Sequence, residues 1–129
     1  MVTVLQSGGV VELWGGWEVC LPPAVHDRNA DGSWSAWGAD WALDVHIIEH
    51  SPKSVSAASE TGDPIKGAGW TGELLVRDEE DGGRPVRRYC STLRAPGSIV
   101  SAWVSVCDPS SERFALSVIN GFAWSGVQV

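Results

Sequence analysis

Trp34-Ser35-Ala36-Trp37-Gly38-Ala39-Asp40-Trp41-Ala42-Leu43-Asp44-Val45-His46-Ile47-Ile48-Glu49-His50 is the stretch whose reading decides the fold. From Trp41 onward the apolar side chains fall at Trp41, Leu43, Val45 and Ile47, and Ala42, Asp44, His46 and Ile48 lie between them. A repeat of two sends successive side chains to opposite sides of an extended chain, so residues 41–49 are expected to form a half-buried strand. The β-branched Val45, Ile47 and Ile48 favour the same state. A helix would gather Trp41, Val45 and Ile48 into one stripe and leave Leu43 and Ile47 off it.

The distinction matters because His46-Ile47-Ile48-Glu49-His50 matches H-x-x-E-H, the zinc pattern of the inverzincin peptidases. On a helix, positions i, i+3 and i+4 share a face, and a zinc-dependent hydrolase using His46, Glu49 and His50 would follow. On a strand His46 and His50 lie two pleats apart and Glu49 points the other way. Pro52 also leaves little room for a helix to continue. No partner motif supplies a third ligand, so the match reads as chance and no cofactor or metal is implied.

Length and charge narrow the classes. A chain of 129 residues suits one domain, residues 1–129, large enough to fill a core without staples. The net charge of −7 repels phosphate backbones and anionic membranes, so nucleic acid and membrane are excluded as expected partners and a basic protein is favoured. Cys20, Cys90 and Cys107 are odd in number and widely spaced, which suits isolated, buried thiols. The N-terminus has no basic region followed by an apolar core, and a reduced, cytoplasmic setting is the expectation.

Around the central stretch the chain reads as follows. Val2 to Leu5 suits a short strand. Val10 to Trp14 and Trp17 to Leu21 flank Gly15-Gly16, a tight-hairpin signal. Pro22-Pro23 ends the second of these, and His26 to Gly32 is polar enough to be a loop. Ser33 to Trp37 is expected to run on into Trp41–Glu49 with a kink at Gly38. Ser51-Pro52 suits a helix start and Gly62 the position past its end, which gives a short helix between them.

Trp70, Leu74 and Val76 alternate with Thr71, Glu73 and Arg77. The acidic turn Asp78 to Gly83 then joins this strand to Val86 through Arg94 as a long hairpin. Ile99 to Cys107 alternates again, with Val100, Ala102, Val104 and Val106 on one side and Ser101, Trp103 and Ser105 on the other. Asp108-Pro109 opens a final helix with Ala115, Val118, Ile119 and Phe122 on its apolar stripe. Asn120-Gly121 offers a rival hairpin turn. The expected fold is therefore α+β: a single layered domain with a mainly antiparallel sheet of about six strands and two helices, in the order β-β-β-α-β-β-β-α. The helices are expected on the face bearing Leu43, Val45, Leu74, Val104 and Val106.

The strand ending in Val19-Cys20-Leu21-Pro22, the later long hairpins and the terminal helix Phe114-Ala115-Leu116-Ser117-Val118-Ile119-Asn120-Gly121-Phe122 resemble the small Mog1/PsbP-like α+β domains in layout. The resemblance implies a binding or assembly module rather than an enzyme. It carries over no functional residue.

Chemistry is sparse. No serine sits in a G-x-S-x-G elbow. Gly67-Ala68-Gly69-Trp70-Thr71-Gly72 matches G-x-G-x-x-G but precedes a strand, where a dinucleotide loop must open a helix. Arg84, Arg87, Arg88 and Arg94 cluster, yet alternation puts Arg87 and Arg88 on opposite faces, and the abundant acids suit them as ion-pair partners.

Eight tryptophans are the unusual feature. Most suit a core. Trp103, flanked in its pleat by Ser101 and Ser105, belongs on the opposite, open face. Asp44, His46, Glu73 and Arg77 join it there if the registers match. These five residues are the candidate binding site of a small, acidic, non-enzymatic protein that acts on an unidentified protein partner, for instance by neutralising a basic toxin as immunity proteins do. A Trp-lined cleft for a small molecule or carbohydrate is the alternative. A homodimer is a further way of covering the face.

Overall fold

The computed structural model describes residues 2–30, 32–49, 62–107 and 112–125. Eleven strands and one helix occur among them: β1 (Thr3–Leu5), β2 (Gly9–Glu12), β3 (Trp17–Leu21), β4 (Ala24–Arg28), β5 (Trp34–Trp37), β6 (Trp41–Glu49), β7 (Asp63–Gly67), β8 (Trp70–Asp81), β9 (Arg84–Ala95), β10 (Ser98–Val106), α1 (Glu112–Asn120) and β11 (Phe122–Trp124). Eight strands form one sheet in the order β1-β4-β5-β6-β10-β9-β8-β7, and β11-β3-β2 form a second, three-stranded sheet. All the pairings within both sheets are antiparallel.

This corrects the expected α+β fold with about six strands and two helices: the protein is mostly β. Four elements account for the difference. His26 to Arg28 belong to β4, which pairs with β5 through His26↔Ala36 and Arg28↔Trp34, although their polarity reads as a loop. Gly38 marks a reversal rather than a kink, so Trp34–Trp37 and Trp41–Glu49 are two antiparallel strands joined by a turn, with Trp37 opposite Ala42. The polar edge strand β7 was not expected, nor was the short β11 after the helix. The helix expected between Ser51 and Gly62 lies outside the described residues, as does the Asp108-Pro109 start of the last one. The last helix itself is present and buries Ala115, Val118 and Ile119. Phe122 is buried too, but as the first residue of β11.

The alternation that defines the strands also defines the core. Val100, Ala102, Val104 and Val106 of β10 are buried together with Leu43 and Val45 of β6 and Tyr89 and Leu93 of β9. Trp17, Val19 and Leu21 of β3, Phe122 of β11 and the apolar stripe of α1 belong to the same core cluster. The cover over the large sheet is thus shared between α1 and the small sheet, where the sequence suggested helices alone.

Two indoles tie the layers together: Trp17 Nε1 donates to Ser98 Oγ at 2.8 Å, and Trp70 Nε1 to the Phe122 carbonyl at 2.9 Å. Buried N–H groups of this kind must find acceptors, and both do. The β8–β9 hairpin closes through Gly82-Gly83, whose φ values of 63° and 83° are the left-handed pair that a two-residue primed turn requires. Lower in the same ladder, Gly72 is held so close to β9 that a Cβ would sit 1.9 Å from the Thr92 carbonyl oxygen.

Candidate functional site

Among the described residues the cover lies on one side only. The other face of the large sheet is built from the opposite set of residues. Across the middle of it run Asp27, Ser35, Asp44, Trp103, Cys90 and Leu75, each paired with the next. One pleat further along, His46, Ser101, Thr92, Glu73 and Pro64 form a parallel row. On the far side Trp37, Ala42, Ser105, Arg88 and Arg77 form a third. All five residues expected on the open face therefore share it.

They do not form one cluster. Asp44, His46 and Trp103 line a cleft of about 510 Å³ together with Asn29, Ser33 and Ser101. Glu73 and Arg77 lie on β8, two strands from Trp103, or about 10 Å at ordinary strand spacing. Glu73 is engaged by Arg94, whose Nη2 donates to Oε1 at 2.7 Å and whose Nη1 donates to Oε2. The Arg94 hydrogen bond holds the Glu73 carboxyl below its usual range, against a smaller opposing push from burial.

Arg88 is similarly occupied by Glu79 and by Ser105 Oγ at 3.0 Å. Arg87, turned to the other face, pairs with Asp78 at 2.7 Å. Arg87, Arg88 and Arg94 thus neutralise acids on the neighbouring strand.

The Asp44 carboxylate is positioned from behind. Ser35 Oγ donates to Asp44 Oδ1 at 2.9 Å, and Asn29 Nδ2 donates to both Ser35 Oγ and Ser33 Oγ at 2.9 Å. A relay of this kind fixes the rotamer of the acid and leaves Oδ2 for other contacts, because a carboxylate accepts several hydrogen bonds. Asn29, Ser33 and Ser35 were missed from the sequence. Asn29 sits in the stretch read as a loop, and only the β4–β5–β6 pairing brings it beside Asp44. Ser101 carried a signal, since it precedes Trp103 by one pleat. A second depression of about 350 Å³, lined in part by Asp40, Asp81, Arg88 and Cys107, meets the first at Asp44.

Trp103 is 39% exposed, Ile48 57%, Trp37 37% and Leu75 36%, so the face carries separated apolar side chains among polar ones. Covalent chemistry has little to work with here. Burial pushes the Cys90 thiol up, and the opposing pull of Arg77 and Arg88 is smaller. That is the reverse of an activated nucleophile. Residues 41–49 are extended, so the helical face needed by the H-x-x-E-H zinc pattern is not formed, and His50 lies outside the described residues. No group of three His, Cys, Asp or Glu suited to a metal occurs among the described residues. None of their helices is long and apolar enough to cross a membrane.

A mostly antiparallel β protein with, among the described residues, one helix and one sheet face left open is the class that this fold and surface define. Among solved structures it is similar to a crystal structure from Bacteroides thetaiotaomicron VPI-5482, with a TM-score of 0.72 and 10% identity, over 97% of this chain and 52% of that one. The chain spans about half the length of that protein. No family model matches it, and no curated protein matches in sequence. At such low identity the likeness shows a shared fold and carries no activity with it.

Proposed function

We propose that this protein is a non-enzymatic binding protein whose open sheet face, centred on Trp103, receives a basic protein partner. The observation that carries the reading is the one-sided cover among the described residues. The small sheet and α1 take the aliphatic face, and a half-exposed tryptophan stands among polar groups on the other. An aromatic side chain set in a polar surround is the usual anchor of a protein interface. The net charge of −7 favours a basic partner and speeds the encounter with it.

Photo-crosslinking tests this directly. Benzoylphenylalanine in place of Ser101 should give a discrete protein adduct in cells, and a second substitution, Trp103→Ala, should abolish it by removing about 2 kcal/mol of binding energy. The same crosslinker in place of Val10, exposed on the small sheet, should not capture that protein. No adduct from Ser101, or one indifferent to Trp103→Ala, sinks the reading.

The cleft itself favours a second reading, a small molecule or carbohydrate bound beside Trp103. A volume of about 510 Å³ with several polar groups fits such a ligand. A tryptophan-fluorescence screen in which the Trp103→Ala protein is silent would select it, and a screen without any Trp103-dependent change would remove it.

A further inference from the structure

Resting on the protein-binding reading above, we propose that the cleft between Trp103 and Asp44 is the receptor for one arginine side chain of the partner. The guanidinium would stack on the indole and pair with the carboxylate.

The charge on the open face is unevenly divided, and this points to a cation. On β8 and β9 that face carries Glu73, Glu79 and Asp81 against Arg77, Arg84, Arg88 and Arg94, and two ion pairs form, Glu73 with Arg94 and Glu79 with Arg88. On β4, β5 and β6 the ionisable side chains of that face are Asp27, which has contacts of its own, and Asp44 and His46. The basic residue of β4, Arg28, pairs with Trp34 on the opposite face, where its guanidinium lies 4.1 Å from the centre of the Trp14 ring. Among the described residues no lysine or arginine of this half of the sheet reaches the open face. Among the described residues Asp44 has no ion-pair partner. A partly exposed carboxylate whose rotamer is fixed by the Asn29–Ser35 relay, directly opposite an exposed indole, is half of an ion pair waiting for its cation.

The geometry suits a guanidinium better than an ammonium. Two surfaces meet at the cleft, a flat ring and a carboxylate edge. A planar cation with a fork of N–H donors can satisfy both at once, whereas an ammonium is a point charge that prefers its water. The protein already uses the same pairing of arginine and tryptophan internally, at Arg28 and Trp14.

The test uses peptides of known chemistry. Gly-Ser-Gly-Arg-Gly-Ser-Gly, its lysine counterpart and its glutamate counterpart are titrated into the ¹⁵N-labelled full chain. The Trp103 indole N–H signal is assigned by its loss in Trp103→Phe. The arginine peptide should shift that signal saturably, the lysine peptide bind more weakly and the glutamate peptide not at all.

Asp44→Asn keeps an acceptor for Ser35 but removes the charge, and should weaken the arginine peptide about tenfold. Glu12→Gln, an equal change of net charge on the small sheet, should leave it unchanged. Equal effects of Asp44→Asn and Glu12→Gln would mean diffuse attraction to an acidic surface and overturn the proposal. So would an arginine peptide that leaves the Trp103 signal unmoved. Because the crosslink from Ser101 is read independently, a Trp103-dependent adduct without arginine binding retires the arginine anchor and leaves the protein-binding reading standing. Loss of the adduct retires both.

Discussion

Trp103 stands directly opposite Asp44 in the β6–β10 ladder, on the face of the large sheet that neither α1 nor the small sheet covers. Its loss should therefore spare the fold. Trp103 is 39% exposed, whereas Trp17 is 2% exposed and packed between the layers. Trp103→Ala is expected to change the unfolding free energy by less than about 1 kcal/mol, against about 3–5 kcal/mol for Trp17→Ala. Urea denaturation of the two variants checks this, and equal losses would make Trp103 a packing residue.

Ser98→Ala removes the acceptor of the Trp17 indole N–H, at a site where Ser98 is 3% exposed. Leaving a buried donor unpaired costs about 1–3 kcal/mol. Thermal unfolding should show a lowered midpoint with unchanged circular dichroism. A midpoint equal to that of the wild type would mean that the N–H has found another acceptor.

The Tyr89 hydroxyl is buried and makes no geometrically sound hydrogen bond among the described residues, although the Arg87 guanidinium lies close enough to interact with it. An unpaired buried hydroxyl is a cost that phenylalanine avoids at almost the same volume. Tyr89→Phe is expected to be neutral or to stabilise by up to about 1 kcal/mol. A clear loss of stability in denaturant titration would show that the hydroxyl is satisfied in solution.

The Arg94–Glu73 pair makes stability depend on pH with a defined sign. The Arg94 hydrogen bond depresses the Glu73 carboxyl from its ordinary 4.5, so the folded state binds that proton less readily than the unfolded chain. A depressed carboxyl adds stability above the unfolded pKa and loses it as pH falls through the folded one. Glu73→Gln should therefore be less stable than the wild type near neutrality. The gap should begin to narrow as pH falls through about 4.5 and close only below the lowered folded pKa, where the carboxyl is protonated in both states. Paired urea titrations at neutral and acid pH measure it. A gap that stays constant would place the effect in packing rather than ionisation.

Much of the architecture was legible wherever a strand has one wet face. Residues 99–106 alternate strictly, 41–49, 70–77 and 86–94 less regularly, and the structure pairs the four runs as neighbours. The helix over residues 112–120 announced itself by its stripe. What stayed hidden were strands lacking that contrast. β4 contains His26, Asp27 and Arg28, and β7 is Asp63-Pro64-Ile65-Lys66-Gly67. Both are strands because a neighbour supplies the hydrogen bonds, not because their own side chains demand it. The proline and lysine of β7 also suit an outer strand that must not recruit another chain.

By itself the sequence determined which side chains share a face, since the pleat alternates however the strand is used. It thereby placed Trp103 apart from the core tryptophans and set Asp44 with His46, and Glu73 with Arg77, on one side of their own strands, leaving the common face to the register. Only the tertiary structure decided which of these meet. Contact across a sheet depends on strand order and register, set by hydrogen bonds between distant segments and not by local pattern. That ordering put Asp44 beside Trp103 with Asn29 and Ser35 behind it, and left Glu73 two strands away in the grip of Arg94.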